Sequence, residues 1–288
     1  MTVRSAGTLT AETVAPAALP IKPRFRKRGG PWLGIASSLV YCFLYLPLFV
    51  VVLYSFSATK VNAWPIQGYT LDWYRELLVD DDIHESVRLS VTVGLIAAAA
   101  AVILGTLAAF ALDRYTFPGK PAFRFFIVMP IVLPGIVTGV AMLSFFSMLG
   151  WPLSRWTIVI GHATFCITLI LNNVIARLGQ IPRSLDEASA DLGAPPARTF
   201  WRVTFPLIRP AILAGAILAF TLSFDEVVVT FFLTGRDKTL PLLIWGRLRQ
   251  GISPEINAAA TVIIVVSLAG VLLSNRLSKQ AALGGGTR

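Results

Sequence analysis

Charge is scarce in this chain. Asp, Glu, Lys and Arg make up only 14% of its 288 residues, where a soluble domain carries about 25%. Histidine and cysteine are scarcer still, with two of each. His84 and His162 cannot supply the paired spacing of a zinc hydrolase. Cys42 and Cys166 have neither metal-ligand spacing nor a secreted context, so they read as packing residues rather than a disulfide. These absences set aside an intramembrane enzyme and a metal centre, and nothing in the chain calls for a cofactor. The phosphate-binding pattern G-x-x-x-x-G-K-[S/T] is also missing: Gly119-Lys120 runs into Pro121 and has no upstream glycine. The chain therefore does not itself hydrolyse ATP.

Acidic residues are outnumbered 15 to 25, for a net charge of +10. That balance can indicate nucleic acid, but the basic residues cluster beside apolar runs, which is the pattern of a membrane protein. What the chain has in plenty is apolar surface: 55% of residues are hydrophobic and the mean hydropathy is +0.71. Its blocks predict an all-α integral membrane protein with six transmembrane helices, near 32–56, 88–112, 125–149, 156–176, 210–234 and 257–275. A helix of about 20 apolar residues crosses a ~30 Å hydrocarbon core. The excess of Lys and Arg in the tail and after the second, fourth and sixth spans places both termini in the cytoplasm. The loop 235–256 is more basic than that rule prefers. Residues 1–30 read as a disordered basic tail leading into an uncleaved signal anchor, 31–278 as the membrane domain, and 279–288 as a C-terminal tail.

The loop 58–85 on the other side is acidic. Tyr69–Leu78 is expected to form a short amphipathic helix with Trp73 and Tyr74 at headgroup level. This loop is either a solvated connection or a docking surface for an external partner.

Between the fourth and fifth spans lies a polar, helix-prone segment, 177–209. Ser184-Leu-Asp-Glu187 fits a capping box. Gly193 is placed to end the short helix that follows, and Pro195 and Pro196 prevent its continuation. A second helix is expected from Pro196 through Arg202, with Pro206 and Pro210 leading into span five. Ala188, Ser189 and Ala190 near the tip are small enough to let a partner groove approach.

This segment resembles the cytoplasmic signature loop of binding-protein-dependent ABC importer permeases: Glu-Ala-Ala, three residues, Gly, nine residues, Ile-x-Leu-Pro. Glu187, Ala188, Gly193 and Pro206 match in register; Ser189, Val203 and Phe205 replace the second Ala, the Ile and the Leu. Ser223-Phe-Asp-Glu-Val-Val-Val-Thr230, Thr239–Trp245 and Gly251–Ala258 resemble the second permease subunit of the spermidine/putrescine importers, and that similarity extends over about 30–278. The resemblance implies the type I importer permease fold in a bacterial inner membrane. It also implies a dimer of ATP-binding subunits docked on Glu187, Ala188, Ser189, Asp191, Gly193 and Pro206. A second homologous permease subunit, an extracytoplasmic solute-binding protein and a cationic polyamine substrate complete the implied set. Relatives in the wider family carry other solutes, among them ferric iron and organophosphonates.

Span five carries the acidic pair Asp225 and Glu226. An ionisable residue in a span usually faces a cavity or a partner. Three readings are open: contact with a cationic substrate, pairing with a helix of a partner subunit, and simple exposure in a wet vestibule. Phe224 and Trp245 are candidate cation–π partners on the same pathway. His162 is expected to make an interhelical hydrogen bond rather than to relay protons. Pro130, Pro134, Gly135 and Gly139 predict a kink in span three. The rival of a different class is a stand-alone proton-coupled carrier built on Asp225, Glu226 and His162.

Overall fold

Helices account for all the regular structure in the computed structural model, which describes residues 31–60, 62–251, 253–265 and 268. The helices are α1 Pro31–Tyr54, α2 Asp72–Val79, α3 Asp81–Arg114, α4 Lys120–Val132, α5 Gly135–Met148, α6 Arg155–Leu178, α7 Ser184–Asp191 and α8 Pro196–Thr199. A π-helical turn, Phe200–Thr204, joins α8 to α9 Phe205–Asp225. Then come α10 Val228–Leu233, α11 Leu240–Leu248 and α12 Pro254–Val265. The expected disordered tail 1–30, the C-terminal tail 279–288 and the later part of the expected sixth span lie outside the described residues.

The chain divides into a unit ending at Leu48 and a unit beginning at Phe49. The described part of the first is helix, with exposed apolar side chains from Trp32 through Leu48. In the second, α3, α6 and α9 pack on one another. Among the described residues, four helices are long and apolar enough to cross a membrane, and five if α4 and α5 count as one span. The helix α12 starts the sixth expected span but is short within the described residues.

The core is built from small residues. On α3 the buried face is Ser86, Ser90, Val93, Gly94, Ala97, Ala98, Ala101, Gly105, Ala108, Ala109 and Leu112, while Leu95, Ile103, Leu104 and Leu107 are exposed. In lipid there is no hydrophobic drive to bury a leucine, so helices associate where small residues let backbones come close. Ile170 of α6 shows how close. A Cβ on Gly105 would stand 2.7 Å from Ile170 Cβ and 2.8 Å from the Ile167 carbonyl oxygen, and one on Gly215 of α9 would stand 2.9 Å from Ile170 Cδ1. Gly105→Ala should therefore cost about 1–3 kcal/mol by overpacking. Its thermal midpoint in detergent should fall, while Gly246→Ala, where nothing lies within 4 Å, should leave the midpoint unchanged or higher. Equal midpoints for the two variants would show that the α3–α6 seam is not tight.

Two spans are broken. Span three was expected as one kinked helix over 125–149. It is two half-helices, α4 and α5, bent by 110°. Pro134 disfavours helical backbone at the preceding residue, and Leu133 is accordingly extended, at φ −70 and ψ 142. Pro130 stays inside α4. Gly139 serves packing instead of bending, since its Cβ would stand 2.6 Å from Phe232 Cδ2. Span five, expected as one helix over 210–234, stops at Asp225 and resumes at Val228. Glu226 between them is extended, at φ −75 and ψ 117. The fifth span also begins earlier than expected, because helix runs without interruption from Pro196 to Asp225. The π turn explains how it passes Pro206. The Phe205 amide bonds back to the Phe200 carbonyl, so the wider turn takes up the register that a proline disturbs.

Opposite the end that carries α7, Arg247 of α11 bonds to Asp80 Oδ2 at 2.7 Å and pairs with Glu255. Partial burial presses the Asp80 carboxyl upward. The Arg247 hydrogen bond, the Ile83 amide, the Arg247 charge and the Asp82 amide together outweigh it and hold Asp80 below the ordinary carboxylate value. The basic loop 235–256 is thus partly neutralised by its own surroundings. Helix α2 forms as expected, but Trp73 and Tyr74 turn inward. Trp73 Nε1 donates to the Ser57 carbonyl at 2.7 Å, and the Tyr74 hydroxyl lies 2.6 Å from Ser55 Oγ.

Candidate functional site

Helix α7 stands at the end of the molecule where α3 and α6 finish. Glu187, Ala188, Asp191 and Gly193 are exposed and Ser189 is half-buried. Leu192, 88% exposed, is an apolar side chain at the tip with nothing to cover it. Pro206 lies beyond the π turn, in the first turn of α9. Gly193 has φ +74, the left-handed region that ends helices and favours glycine.

The capping box is not formed. Ser184 is the first residue of α7, Arg183 precedes it, and no side chain caps the turn. The Glu187 amide bonds to the Arg183 carbonyl instead, at 3.2 Å. The Glu187 carboxylate makes no hydrogen bond or ion pair with any described residue. What remains of its local role is a favourable charge near a helix N-terminus, about 0.3–1 kcal/mol.

Ser189, expected at the docking tip, and several residues not singled out in the sequence hold the element in place. Ser189 Oγ and Thr199 Oγ1, 2.8 Å apart, tie α7 to α8. Thr204 Oγ1 donates to Asp186 Oδ1 at 3.2 Å, and Asp186 Oδ2 lies 2.8 Å from the Arg114 guanidinium at the end of α3. Arg183 donates to the Asp113 carbonyl at 3.2 Å, and Arg177 Nε to the Leu207 carbonyl at 2.9 Å. Arg114 and Arg177 each stand in the last turn of a helix, where the dipole favours a cation. That charge placement was the only local signal for either.

The acidic pair sits at the break between α9 and α10, and the two carboxylates have different surroundings. Glu226 is half-buried and its Oε1 accepts the Val229 amide at 2.9 Å, capping α10. It also lies near the start of α5, since a Cβ on Gly135 would stand 3.9 Å from Glu226 Oε1. Two helix N-termini thus face this carboxylate, which is favourable for an anion. Asp225 is exposed, the last residue of α9, and has no hydrogen bond or ion pair with any described residue. It adds negative charge to the negative end of a helix, an unfavourable position. Phe224 is half-buried with its ring 5.9 Å from that of Phe220. Trp245 sits on α11, where the Arg249 guanidinium carbon lies 5.4 Å from its ring centroid. No hydrogen bond, ion pair or ring contact among the described residues joins Trp245 to the acidic pair.

His162 stitches the break together, as the sequence led us to expect of an interhelical bond. It is fully buried on α6. Nδ1 lies 2.7 Å from Ser223 Oγ on α9 and Nε2 lies 2.9 Å from Thr230 Oγ1 on α10. The Thr230 hydroxyl donates to the Glu226 carbonyl at 2.7 Å. A hydroxyl has one proton to give, so Thr230 accepts from His162 and Nε2 carries the ring proton. Nδ1 is then free to accept from Ser223.

Comparison with known proteins accords with this architecture. Residues 101–281 match the family described as binding-protein-dependent transport system inner membrane component. The chain is 42% identical over 263 residues to the putrescine transport system permease protein PotI of Escherichia coli strain K12, covering 87% of this chain and 93% of that one. It is 35% identical over 247 residues to the spermidine/putrescine transport system permease protein PotC of the same strain, covering 85% and 93%. In fold it is similar to a chain of a bacterial ABC transporter involved in the import of the acidic polysaccharide alginate, with a TM-score of 0.62 at 21% identity over 89% of this chain and 98% of that one. A multi-pass helical chain with this extent of similarity belongs to the family of binding-protein-dependent transport system inner membrane components and is a transport permease, not an enzyme.

Proposed function

We propose that this chain is a membrane-spanning subunit of an ATP-driven importer of polyamines. It crosses the membrane six times with both termini in the cytoplasm. Helix α7 docks a dimer of ATP-binding subunits, a second homologous permease completes the pathway, and an external binding protein delivers the substrate. Nucleotide-driven closure moves α7 as a rigid piece and rocks the attached spans between inward-open and outward-open arrangements.

The observation that carries the polyamine reading is Asp225: an exposed, unpaired carboxylate at the end of a broken membrane helix. Half-helix C-termini and their free carbonyls suit cations in transporters generally, and a protonated amine offers the compensation that this carboxylate lacks. An organophosphonate, being an anion, would meet Asp225 and Glu226 unfavourably. The proton-coupled alternative is weakened by His162, whose two ring nitrogens are both engaged in holding the helix break.

The test is purification of the tagged chain with its co-purifying subunits, reconstitution into liposomes, and uptake of labelled putrescine and spermidine. Uptake that requires ATP and the binding protein supports the reading. Uptake by the chain alone, driven by a pH gradient and abolished by an uncoupler, would overturn it.

A further inference from the structure

Polar links help join α7 to the bundle. A cavity of 430 Å³ opens beneath the element, lined among others by Phe110, Ala190, Ala194 and Phe200. The backbone of α7 neighbours α8 and the π turn. Towards α3, the longest helix among the described residues, two polar links cross: Arg183 to the Asp113 carbonyl and Arg114 to Asp186. The ion pair is sheltered, with the Arg114 side chain 17% and the Asp186 side chain 31% exposed, so it is screened less than a surface pair.

The Arg114 nitrogen, 2.8 Å from Asp186 Oδ2, is held there by charge attraction and not by an aligned hydrogen bond. The same Asp186 carboxylate accepts from Thr204 with its other oxygen. One side chain thus connects α7, α3 and the π turn leading into α9. We propose that Asp186 and Arg114 form the strut that transmits displacement of α7 to α3. They act as positioning residues for transport, distinct from the outward-facing Glu187 that meets the partner. This inference rests on the reading of α7 as the docking element.

The experiment compares Asp186→Asn, Arg114→Gln and the double variant that carries both changes, each in the reconstituted complex with its ATPase and binding protein. The readouts are ATPase retained on the purified complex and substrate moved per ATP hydrolysed. Neighbouring charged residues couple strongly in double-mutant cycles, so each single change should lower transport per ATP roughly tenfold while the ATPase stays bound, and the double variant should lose no more than either single. Singles that keep normal transport per ATP would overturn the strut. So would singles that shed the ATPase, because the pair would then belong to the docking surface. Losses in the two singles that multiply in the double variant would also overturn it. Failure of the docking reading itself is separately visible, as an unaltered complex that carries no ATPase at all.

Discussion

Glu187→Ala should lower ATP-dependent uptake by roughly thirtyfold or more, the scale of losing a contact worth 2 kcal/mol at the centre of an interface. The protein should still fold and insert. The Glu187 carboxylate is exposed and touches no described hydrogen-bonding or charged partner, so its removal costs the chain no more than the modest term for an acid near a helix N-terminus. The missing capping box strengthens this expectation, because the internal role that the sequence offered for Glu187 is absent. Gly193 provides the matching control on shape. Nothing lies within 4 Å of a Cβ built there, but φ is +74, so only conformation limits the position. Gly193→Ala should weaken uptake, and Gly193→Asn, which tolerates the left-handed region better, should recover much of it. ATPase co-purification and uptake in the same preparations read both effects. Uptake unchanged in Glu187→Ala would remove α7 from the coupling role.

The parts of the molecule that the sequence revealed are those set by local chemistry. Long apolar blocks gave the membrane helices, Pro134 gave the bend in span three, and Gly193 gave the end of α7. Hidden parts depend on distant residues. The break at Asp225–Val227 has no proline or glycine to announce it. It is held by His162, which is 61 residues from Ser223 and 68 from Thr230 in sequence. The α3 face was hidden for a different reason. In lipid the exposed side is as apolar as the buried one, so Leu107 and Ala108 give no polar–apolar alternation to read. Trp73 and Tyr74 read as interfacial because aromatic residues favour headgroups; their polar atoms also find partners inside the fold, the Ser57 carbonyl and Ser55 Oγ, which no local pattern announced. The pairing of Asp186 with Arg114 was likewise beyond reach, since neither residue carries a local mark of the other.

The two acids at the break should separate cleanly. Asp225→Asn should cut kcat/KM for a polyamine by roughly ten- to a hundredfold. An ammonium about 4 Å from a carboxylate gains up to about 4 kcal/mol at an effective dielectric of 20, and part of that is spent on desolvation. The same substitution should raise the thermal midpoint slightly, because it takes a negative charge off the negative end of α9, a term of about 0.3–1 kcal/mol. A variant that is more stable and less active is the signature of a residue kept for function against its structural cost. Glu226→Gln should leave uptake near the unaltered level and lower the midpoint slightly, because an amide oxygen can still accept the Val229 amide but the charge that the two helix N-termini favour is gone. Glu226→Ala should lower the midpoint by about 1 kcal/mol of stability as the α10 cap is lost. Measured together by uptake and thermal unfolding, these three variants assign the carboxylates independently. If Glu226→Gln loses uptake as heavily as Asp225→Asn, the substrate is held by both acids, and the division of labour that the helix termini impose on them is wrong.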